Sequence, residues 1–317
     1  MQHHDHGERD DRPFDATTHL YIRTNPADDG SEPLPPNLAF WASPDIAIER
    51  PGGILGGEAE PLVQNRVKVT VTNGGGQPAV DAYVEVFVVT PTTHITPATA
   101  TLIGDEFVTV QAYSTADVWL PWTPLPSDSG HRCLVARVSL YAPLDAVRDP
   151  TIFDVVGDRH VAQRNIQVLE VQAGERRSFR FKLAHPRIGD GPRSLTVVET
   201  TFETDRQALV RMGGCEGGLP ATMPLAELGV RALSDIGPSR GSPDDLLSGR
   251  GDGDWSTPGF PDWQPLRPSL LGLTNYGVVS FAVASDDEVG RLHAFDVIET
   301  DATGARLGGL SFVVRVV

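Results

Sequence analysis

The sequence predicts an all-β protein built from two β-sandwich domains. Short segments with an apolar residue at every second position recur along much of the chain, which is typical of strands with one buried and one exposed face. The 32 glycines and 26 prolines are dispersed between these segments, where turns are expected. Because 317 residues are too many for one ordinary sandwich, we expect two.

The first 44 residues predict a mobile polar tail followed by an extended arm. Residues 1–18 are mostly polar and charged. Prolines between residues 31 and 44 oppose a helix and favour extended chain. Phe40 and Trp41 are large aromatic residues near the end of this arm, and we expect them to anchor it at an interface.

Residues 45–172 predict the first sandwich. In the run that begins at Asn65, Val67, Val69 and Val71 alternate with polar residues, and the glycines that follow Asn73 allow a turn with positive φ. Further strands are predicted at Ala82–Val89, Phe107–Tyr113, Asp117–Trp122, Arg132–Leu140 and Arg164–Val171. Closely spaced strands with no helices between them are typical of a sandwich.

Residues 173–317 predict the second sandwich. Its strands are expected at Arg177–His185, Ser194–Phe202, Val278–Ser285, Arg291–Asp301 and Gly309–Val317. The segment Thr303–Ala305 contains a central glycine and predicts a tight hairpin between the last two strands.

A long loop insertion at residues 212–271 interrupts this second domain. Within it, the segment Met223–Gly237 favours one short helix, because its apolar residues lie roughly on one helical side. The remainder is rich in glycine, proline and aspartate, as loops are. Long loops in compact domains are usually functional or disordered.

The charge and hydropathy of the chain exclude two classes of partner. The formal net charge of −16 repels phosphate, so we expect no nucleic acid. No apolar run reaches the roughly 18 residues that span a membrane, so we expect no membrane insertion. The N-terminus lacks the apolar core of a signal peptide. We therefore expect a cytoplasmic protein, or one released without a cleaved signal, including as part of an extracellular particle.

Two parts of the sequence offer metal ligands. Asp252, Asp254 and Asp262 lie in one loop and supply oxygens of the kind that calcium prefers, and the acidic loop Asn25–Glu32 does the same. Neither loop has the spacing of an EF-hand, and ordinary turns also favour these residues. His3 lies two residues after the free N-terminal amine of Met1, an arrangement that chelates Cu²⁺ or Ni²⁺. The other interpretation is that His3 belongs to a solvated tail. No other cofactor is expected.

Three aromatic residues in the insertion predict a binding surface. Trp255, Phe260 and Trp263 lie close together in sequence. Exposed rings stack on sugars or anchor a protein subunit. Packing of the loop onto its own domain is the other interpretation.

The sequence offers no convincing catalytic motif. It contains no nucleophile elbow, phosphate loop, zinc-protease motif or paired cysteines. Cys133 lies in an apolar strand and is expected to be a small buried side chain, while Cys215 falls in the other predicted domain. We therefore predict that the chain is not an enzyme. A hydrolase whose site is assembled from distant loops is the alternative.

Residues 15–170 resemble the CARDB-type domain, the cell-adhesion-related domain in bacteria. The resemblance rests on the segments Arg66–Val88, Leu120–Pro126, Gly130–Val138 and Asp158–Val168. It implies an immunoglobulin-like sandwich and a role in adhesion or assembly. The sequence departs from the family at Asp158-Arg159-His160, which stands where members usually carry an asparagine cluster before the last strand.

These observations predict a non-enzymatic structural or adhesion protein. It would assemble with itself or with a larger bacterial or phage-like particle, by adding its N-terminal arm to a neighbour's sheet edge. On this hypothesis, deletion of residues 1–44 abolishes assembly and leaves both sandwiches folded. A glycan- or surface-binding module that uses the Trp255–Trp263 loop is the second hypothesis.

Overall fold

The computed structural model of the chain shows an all-β fold, as predicted. The structure describes residues 14–35, 38–55, 59–90, 92–93, 95–125, 132–182, 193–199, 219–220, 227–232, 263–266, 276–283 and 285–317. These residues contain one 3₁₀ turn, at Pro97–Thr99, and otherwise form strands, turns and loops. No helix among them is long and apolar enough to span a membrane.

The strands are numbered in chain order and fall on either side of Asn165. Those of the first half are β1 (Leu20–Tyr21), β2 (Ile46–Arg50), β3 (Ile54–Leu55), β4 (Asn65–Asn73), β5 (Ala79–Val89), β6 (Thr101–Val110), β7 (Ser114–Trp122), β8 (Cys133–Tyr141), β9 (Leu144–Asp145) and β10 (Val161–Arg164). Those of the second half are β11 (Ile166–Val171), β12 (Arg176–Lys182), β13 (Arg193–Glu199), β14 (Leu219–Pro220), β15 (Glu227–Ala232), β16 (Trp263–Leu266), β17 (Tyr276–Ala282), β18 (Arg291–Thr300) and β19 (Arg306–Val316).

The first half is a sandwich of two sheets around one core. In sheet 1, β4 pairs with β7 along its length, and β1 and β2 pair with successive parts of β4. Sheet 2 has the order β10-β8-β5-β6, with β9 paired to β8. The predicted alternation is present in β4, where Val67, Val69 and Val71 are fully buried. Burial of one valine side chain stabilises a fold by about 1.5–3 kcal/mol, so this pattern orients the strand.

The second half also contains two sheets with a shared core. Sheet 3 has the order β11-β19-β18-β13-β16, with β14 paired to β18, and sheet 4 has the order β12-β17-β15. Phe181, Val279 and Phe312 are among the buried residues between these sheets. The predicted hairpin between β18 and β19 is confirmed, and Gly304 adopts a φ of +85° in its turn.

The chain passes from one half to the other at Asn165, earlier than the predicted boundary at residue 172. The segment Arg164–Val171, predicted as one strand of the first sandwich, divides between two sheets. β10 ends at Arg164 in sheet 2, and β11 pairs in parallel with β19 in sheet 3. The polar run Gln163–Asn165 contains no glycine or proline that would mark a turn, so the local pattern could not show the change of sheet.

Two further predictions need correction. The N-terminal segment from residue 14 onward is not a free arm, because β1 pairs with β4 and the side chains of Leu20 and Ile22 lie in the core. The predicted helix in Met223–Gly237 is replaced by β15, which pairs with β17. Leu228 and Val230 alternate with Glu227, Gly229 and Arg231, so the apolar spacing also fits a strand.

A third buried cluster joins the two halves. It contains Trp41, Val135 and Val161 from the first half and Leu292 and Val313 from the second. Because the halves share this apolar cluster, the division into two separate domains stays a prediction.

Candidate functional site

A polar and largely buried site lies at one corner of the first half. We call it the charged corner and define it by Glu32, Asp145, Asp158, Arg159 and His160. Asp158, Arg159 and His160 directly precede β10, Asp145 ends β9, and Glu32 lies in the loop after β1. The tripeptide Asp158-Arg159-His160 is the place at which the sequence departs from the pattern of the CARDB-type family.

His160 lies between two carboxylates. Its Nδ1 is 2.7 Å from Asp158 Oδ1, and its Nε2 is 2.9 Å from Asp145 Oδ1. The residue is only 3 % exposed. Burial lowers the pKa of His160, but the hydrogen bonds to Asp145 and Asp158 outweigh this effect and raise it above 6.5. The geometry therefore favours an imidazolium that donates from both nitrogens.

Asp145 is the most strongly stabilised carboxylate of the charged corner. Burial alone would raise its pKa, but the hydrogen bonds from His160 and from the Leu20 backbone N–H, with the nearby charge of Arg159, lower it well below its usual range. The Leu20 N–H donates to Asp145 Oδ2 over 2.8 Å. This bond ties β1 to β9.

Arg159 completes the charged corner. Its Nη2 is 2.5 Å from Asp145 Oδ1, and its Nη1 is 3.0 Å from Glu32 Oε2. Its backbone N–H donates to Glu32 Oε1 over 2.8 Å, and its Nε–H donates to the Leu20 carbonyl over 3.1 Å. The charged corner therefore holds together β1, the loop that carries Glu32, β9 and the start of β10.

Three residues of the charged corner have the side-chain types of a metal site. One ligand atom each from Glu32, Asp158 and His160 lies within 4.8 Å of the others. However, both ring nitrogens of His160 already bond carboxylates, and Glu32 pairs with Arg159. A metal ion would have to displace these protons and the guanidinium. As arranged, the chemistry of this corner is that of a structural ion network.

A second polar network, which we call the junction, connects the two halves around Asn165. The Asn165 backbone N–H donates to the Trp41 carbonyl over 2.8 Å, and its carbonyl accepts from the Ser311 N–H over 3.0 Å. Its side-chain amide donates to the carbonyls of Thr92 and Gly309 over 2.9 and 2.8 Å. Asn165 thus binds segments of both halves at once.

Trp41 contributes the apolar part of the junction. Its indole is fully buried, and its Nε1–H donates to Ser311 Oγ over 3.0 Å. A Cβ at Gly309 would lie 2.5 Å from the indole ring, so only glycine permits this approach. Phe40, predicted beside Trp41 as an interface residue, is also buried in the shared cluster.

Cys133 lies at the same junction and is buried, as predicted. Its Sγ donates to Asn165 Oδ1 over 2.5 Å. Burial raises the pKa of its thiol to about 12. The thiolate, which is the nucleophilic form, is therefore strongly disfavoured.

The other predicted site residues lie mainly outside the described residues. Those residues are His3, Asp252, Asp254, Trp255, Phe260 and Asp262, and only the backbone of Trp263 is described, in β16. The acidic loop Asn25–Glu32 is described, and Asp28 uses its carboxylate within that loop. Its Oδ2 accepts from the Thr24 N–H over 2.8 Å, and its Oδ1 accepts from the Gly30 N–H over 2.9 Å. The calcium predictions are therefore untested.

Sequence reasoning missed an exposed surface on sheet 2, which we call the aromatic face. It is formed by Tyr83 in β5, Phe107 in β6 and Tyr141 in β8. Tyr83 is paired in register with Phe107 and with Ser139, two residues before Tyr141. The ring centroids of Tyr83 and Phe107 are 5.0 Å apart, and Phe107 and Tyr141 are 59 % and 68 % exposed. Val84 and Val86 in β5 are buried, so this face is the outer one.

These features define an all-β sandwich protein. The chain is similar to the CARDB domain of the PF1109 protein from Pyrococcus furiosus in two solved structures. The crystal structure, in complex with di-metal ions, shows 17 % identity over 33 % of this chain and 76 % of that chain, with a TM-score of 0.24. The solution structure shows 18 % identity over 38 % of this chain and 90 % of that chain, with a TM-score of 0.25.

A larger protein also shares a small part of this similarity. The β-glucosidase DesR from Streptomyces venezuelae, in complex with D-glucose, is 16 % identical over 34 % of this chain and 14 % of its own, with a TM-score of 0.21. No protein-family profile matches the chain, and no curated protein does. These similarities concern the fold only.

Proposed function

We propose that the chain is a non-catalytic structural protein that assembles with copies of itself or with a larger particle. The aromatic face carries this proposal. Large aromatic side chains that are exposed together on one sheet face are typical of surfaces covered by a partner. Phe107 and Tyr141 expose most of their side chains, Leu144 of β9 pairs with Tyr141 and is also exposed, and Leu102 adds exposed apolar surface further along β6.

The two buried networks support a scaffold rather than a catalytic centre. In the charged corner, His160 has both nitrogens bonded to carboxylates, so neither is available as a general base. In the junction, Cys133 is buried and its thiol pKa is raised. Both networks join segments that are distant in sequence, which is what a rigid scaffold requires.

The proposal differs from the sequence-based hypothesis in the assembly surface. Since residues from 14 onward are built into the first half, only residues 1–13 remain as a candidate arm. The aromatic face does not depend on that segment. The glycan hypothesis depends on Trp255, Phe260 and Trp263 and stays a prediction.

The test is the native mass of the purified protein, measured by light scattering after size exclusion, in calcium and in chelator. We expect species larger than one chain in both buffers, because the aromatic face contains no calcium ligand set. The double variant Phe107→Ser/Tyr141→Ser should reduce assembly. The control variant Leu55→Ser/Val289→Ser removes two side chains that are also exposed but lie elsewhere.

Two outcomes would count against the proposal. Equal assembly by the aromatic-face variant and by the wild type would show that another surface is used. A single-chain mass at all protein concentrations would contradict self-assembly and leave only the larger particle as partner.

A further inference from the structure

We propose that the aromatic face binds a cationic, extended segment of a partner protein, through lysine or arginine side chains. This inference rests on the proposed function and names the chemistry of the partner. It is carried by three observations: uncompensated carboxylates, exposed aromatic rings, and an edge strand.

The first observation is the charge of the face. Asp105 lies in β6 opposite Glu85 of β5, on the outer side of sheet 2. Glu85 is neutralised by Arg137, whose Nε is 2.5 Å from Glu85 Oε2. Among the described residues, Asp105 has no ion-pair partner and is exposed, and its carboxylate is hydrogen-bonded with the hydroxyl of Tyr83 on the same face. The face therefore carries net negative charge on a chain whose formal charge is already −16.

The aromatic rings lie within this negative field. Partial burial and the charges of Glu85 and Asp105 raise the pKa of Tyr83, because they disfavour a further negative charge at its hydroxyl. The same field favours a cation beside the ring. Cations are attracted to the faces of aromatic rings, also at exposed sites.

This sheet already contains one such contact. The guanidinium carbon of Arg137 lies 5.0 Å from the ring centroid of Phe87, which is two residues from Glu85 on the same side of β5. Arg137 is thus held by a carboxylate and a ring together. Asp105 and the Tyr83–Phe107 ring pair offer the same combination of a carboxylate and aromatic rings. Among the described residues, no cationic side chain pairs with this combination.

The edge position of β6 makes an extended segment the best fit. Among the described strands, β6 pairs only with β5, so its other side has no strand partner. Glu106 is paired in register with the buried Val84, which places its carboxylate at the inner rim of the sandwich. An inward charge on an edge strand opposes the addition of an apolar or acidic strand. A basic strand would neutralise it.

The same observations disfavour a metal ion at this face. Aromatic rings are not ligands for a hard cation such as calcium, which needs several oxygens. A basic segment of a partner chain is complementary to both the rings and the carboxylates.

The test uses two end-blocked decapeptides, one alternating lysine with threonine and the other alternating glutamate with threonine. Binding to the full-length, ¹⁵N-labelled protein is followed by amide shifts at low and at physiological salt. We expect the lysine peptide to shift the signals of β5, β6 and β8, and the glutamate peptide to shift none. The affinity for the lysine peptide should fall as salt rises.

Two variants localise the binding. Asp105→Asn/Glu106→Gln should weaken the lysine peptide about tenfold, as expected for the loss of two exposed ion pairs. The control variant Glu175→Gln/Asp286→Asn removes two other exposed carboxylates and should leave the affinity within about twofold of the wild type. Because all four changed side chains are exposed, the variants should fold like the wild type.

The outcomes separate this inference from the proposed function. If the wild type assembles through the aromatic face but binds both peptides equally or neither, the cationic partner is wrong and the proposed function stands. Equal loss of affinity in the control variant would show that the peptide follows overall charge, which also overturns the inference. Lysine-peptide binding at this face by a protein that stays a single chain supports the inference and contradicts self-assembly.

Discussion

His160 links two buried carboxylates, those of Asp145 and Asp158. Asp158 precedes it by two residues, whereas Asp145 belongs to β9. The imidazolium therefore connects β9 to the start of β10. Removal of one partner from such a buried network costs more than an exposed ion pair contributes, because the remaining charges stay desolvated.

We predict that this network gives the protein a pH optimum of stability. The folded-state pKa of His160 is raised above 6.5, so its contribution is fully present below pH 6.5 and is lost as pH rises through the folded pKa. The folded-state pKa values of Asp145 and Asp158 are lowered below 3.8, so their contribution is present above pH 3.8 and is lost as pH falls through their folded values. The free energy of unfolding should therefore be highest between these limits.

The measurement is the urea midpoint from pH 5 to pH 9 for the wild type and for His160→Gln. The variant should have a lower urea midpoint than the wild type below pH 6.5. Its midpoint should not decline as the pH rises above that value, whereas that of the wild type should. His19→Gln is the matched control, because burial and the nearby Arg159 lower the pKa of His19, so its contribution is lost as pH falls. An unchanged decline at high pH in His160→Gln would contradict this assignment.

At the scale of elements, the turn after β4 holds the N-terminal segment in place. The Gly75 N–H and the His19 N–H both donate to Asn73 Oδ1, over 2.9 and 3.1 Å. A Cβ at Gly75 would lie 2.7 Å from the His19 backbone nitrogen and would also collide with the Thr17 carbonyl. The close approach of the two backbones therefore requires glycine at this position.

We predict that Gly75→Ala destabilises the protein by about 1–3 kcal/mol, the usual cost of overpacking. Thermal unfolding by circular dichroism measures this change. Hydrogen exchange should show early loss of protection at Leu20 and Tyr21, because the strain falls on the segment that leads into β1. Gly104→Ala is the control, since its Cβ would meet only Leu120 Cδ2 at 3.7 Å. Equal stability of the two variants would contradict the predicted role of the turn.

The sequence predicted elements well where the pattern is local, and poorly where pairing is distant. The alternation in β4 and the glycine of the β18–β19 turn are local, and both predictions were correct. The parallel pairing of Ile166 with Ser311 leaves no mark in either segment. β15 was mistaken for a helix because its spacing fits both periods and tertiary pairing decides between them.

The residues of the candidate sites were also predicted where the sequence signal is local and missed where it depends on distant pairing. The departure from the family pattern drew attention to His160 and its two preceding residues. Asp145 was not singled out, and Glu32 was considered only as part of the acidic loop, because their partners His160 and Arg159 are 15 and 127 residues away in sequence. The aromatic face was missed because Tyr83 and Phe107 occupy the outer positions of their strands, where polar residues are the rule, and only the register places them side by side.

At the scale of the whole molecule, the junction determines whether the two halves unfold together. The shared cluster includes Trp41 and Val135 from one half and Leu292 and Val313 from the other. Asn165 adds hydrogen bonds to both halves. Loss of either half would expose this cluster to water, so the free energies of unfolding of the two halves are coupled.

We therefore predict a single calorimetric transition for the wild type, with equal calorimetric and van't Hoff enthalpies. Trp41→Ala should lower the stability by about 3–5 kcal/mol and split the transition in two, since it removes the largest side chain of the shared cluster and its bond to Ser311. Trp119→Ala is the matched control, because Trp119 lies on sheet 1 beside Arg66, away from the junction. Two transitions in the wild type would show that the halves unfold independently. A single transition in Trp41→Ala would show that the polar bonds of Asn165 are sufficient to couple them.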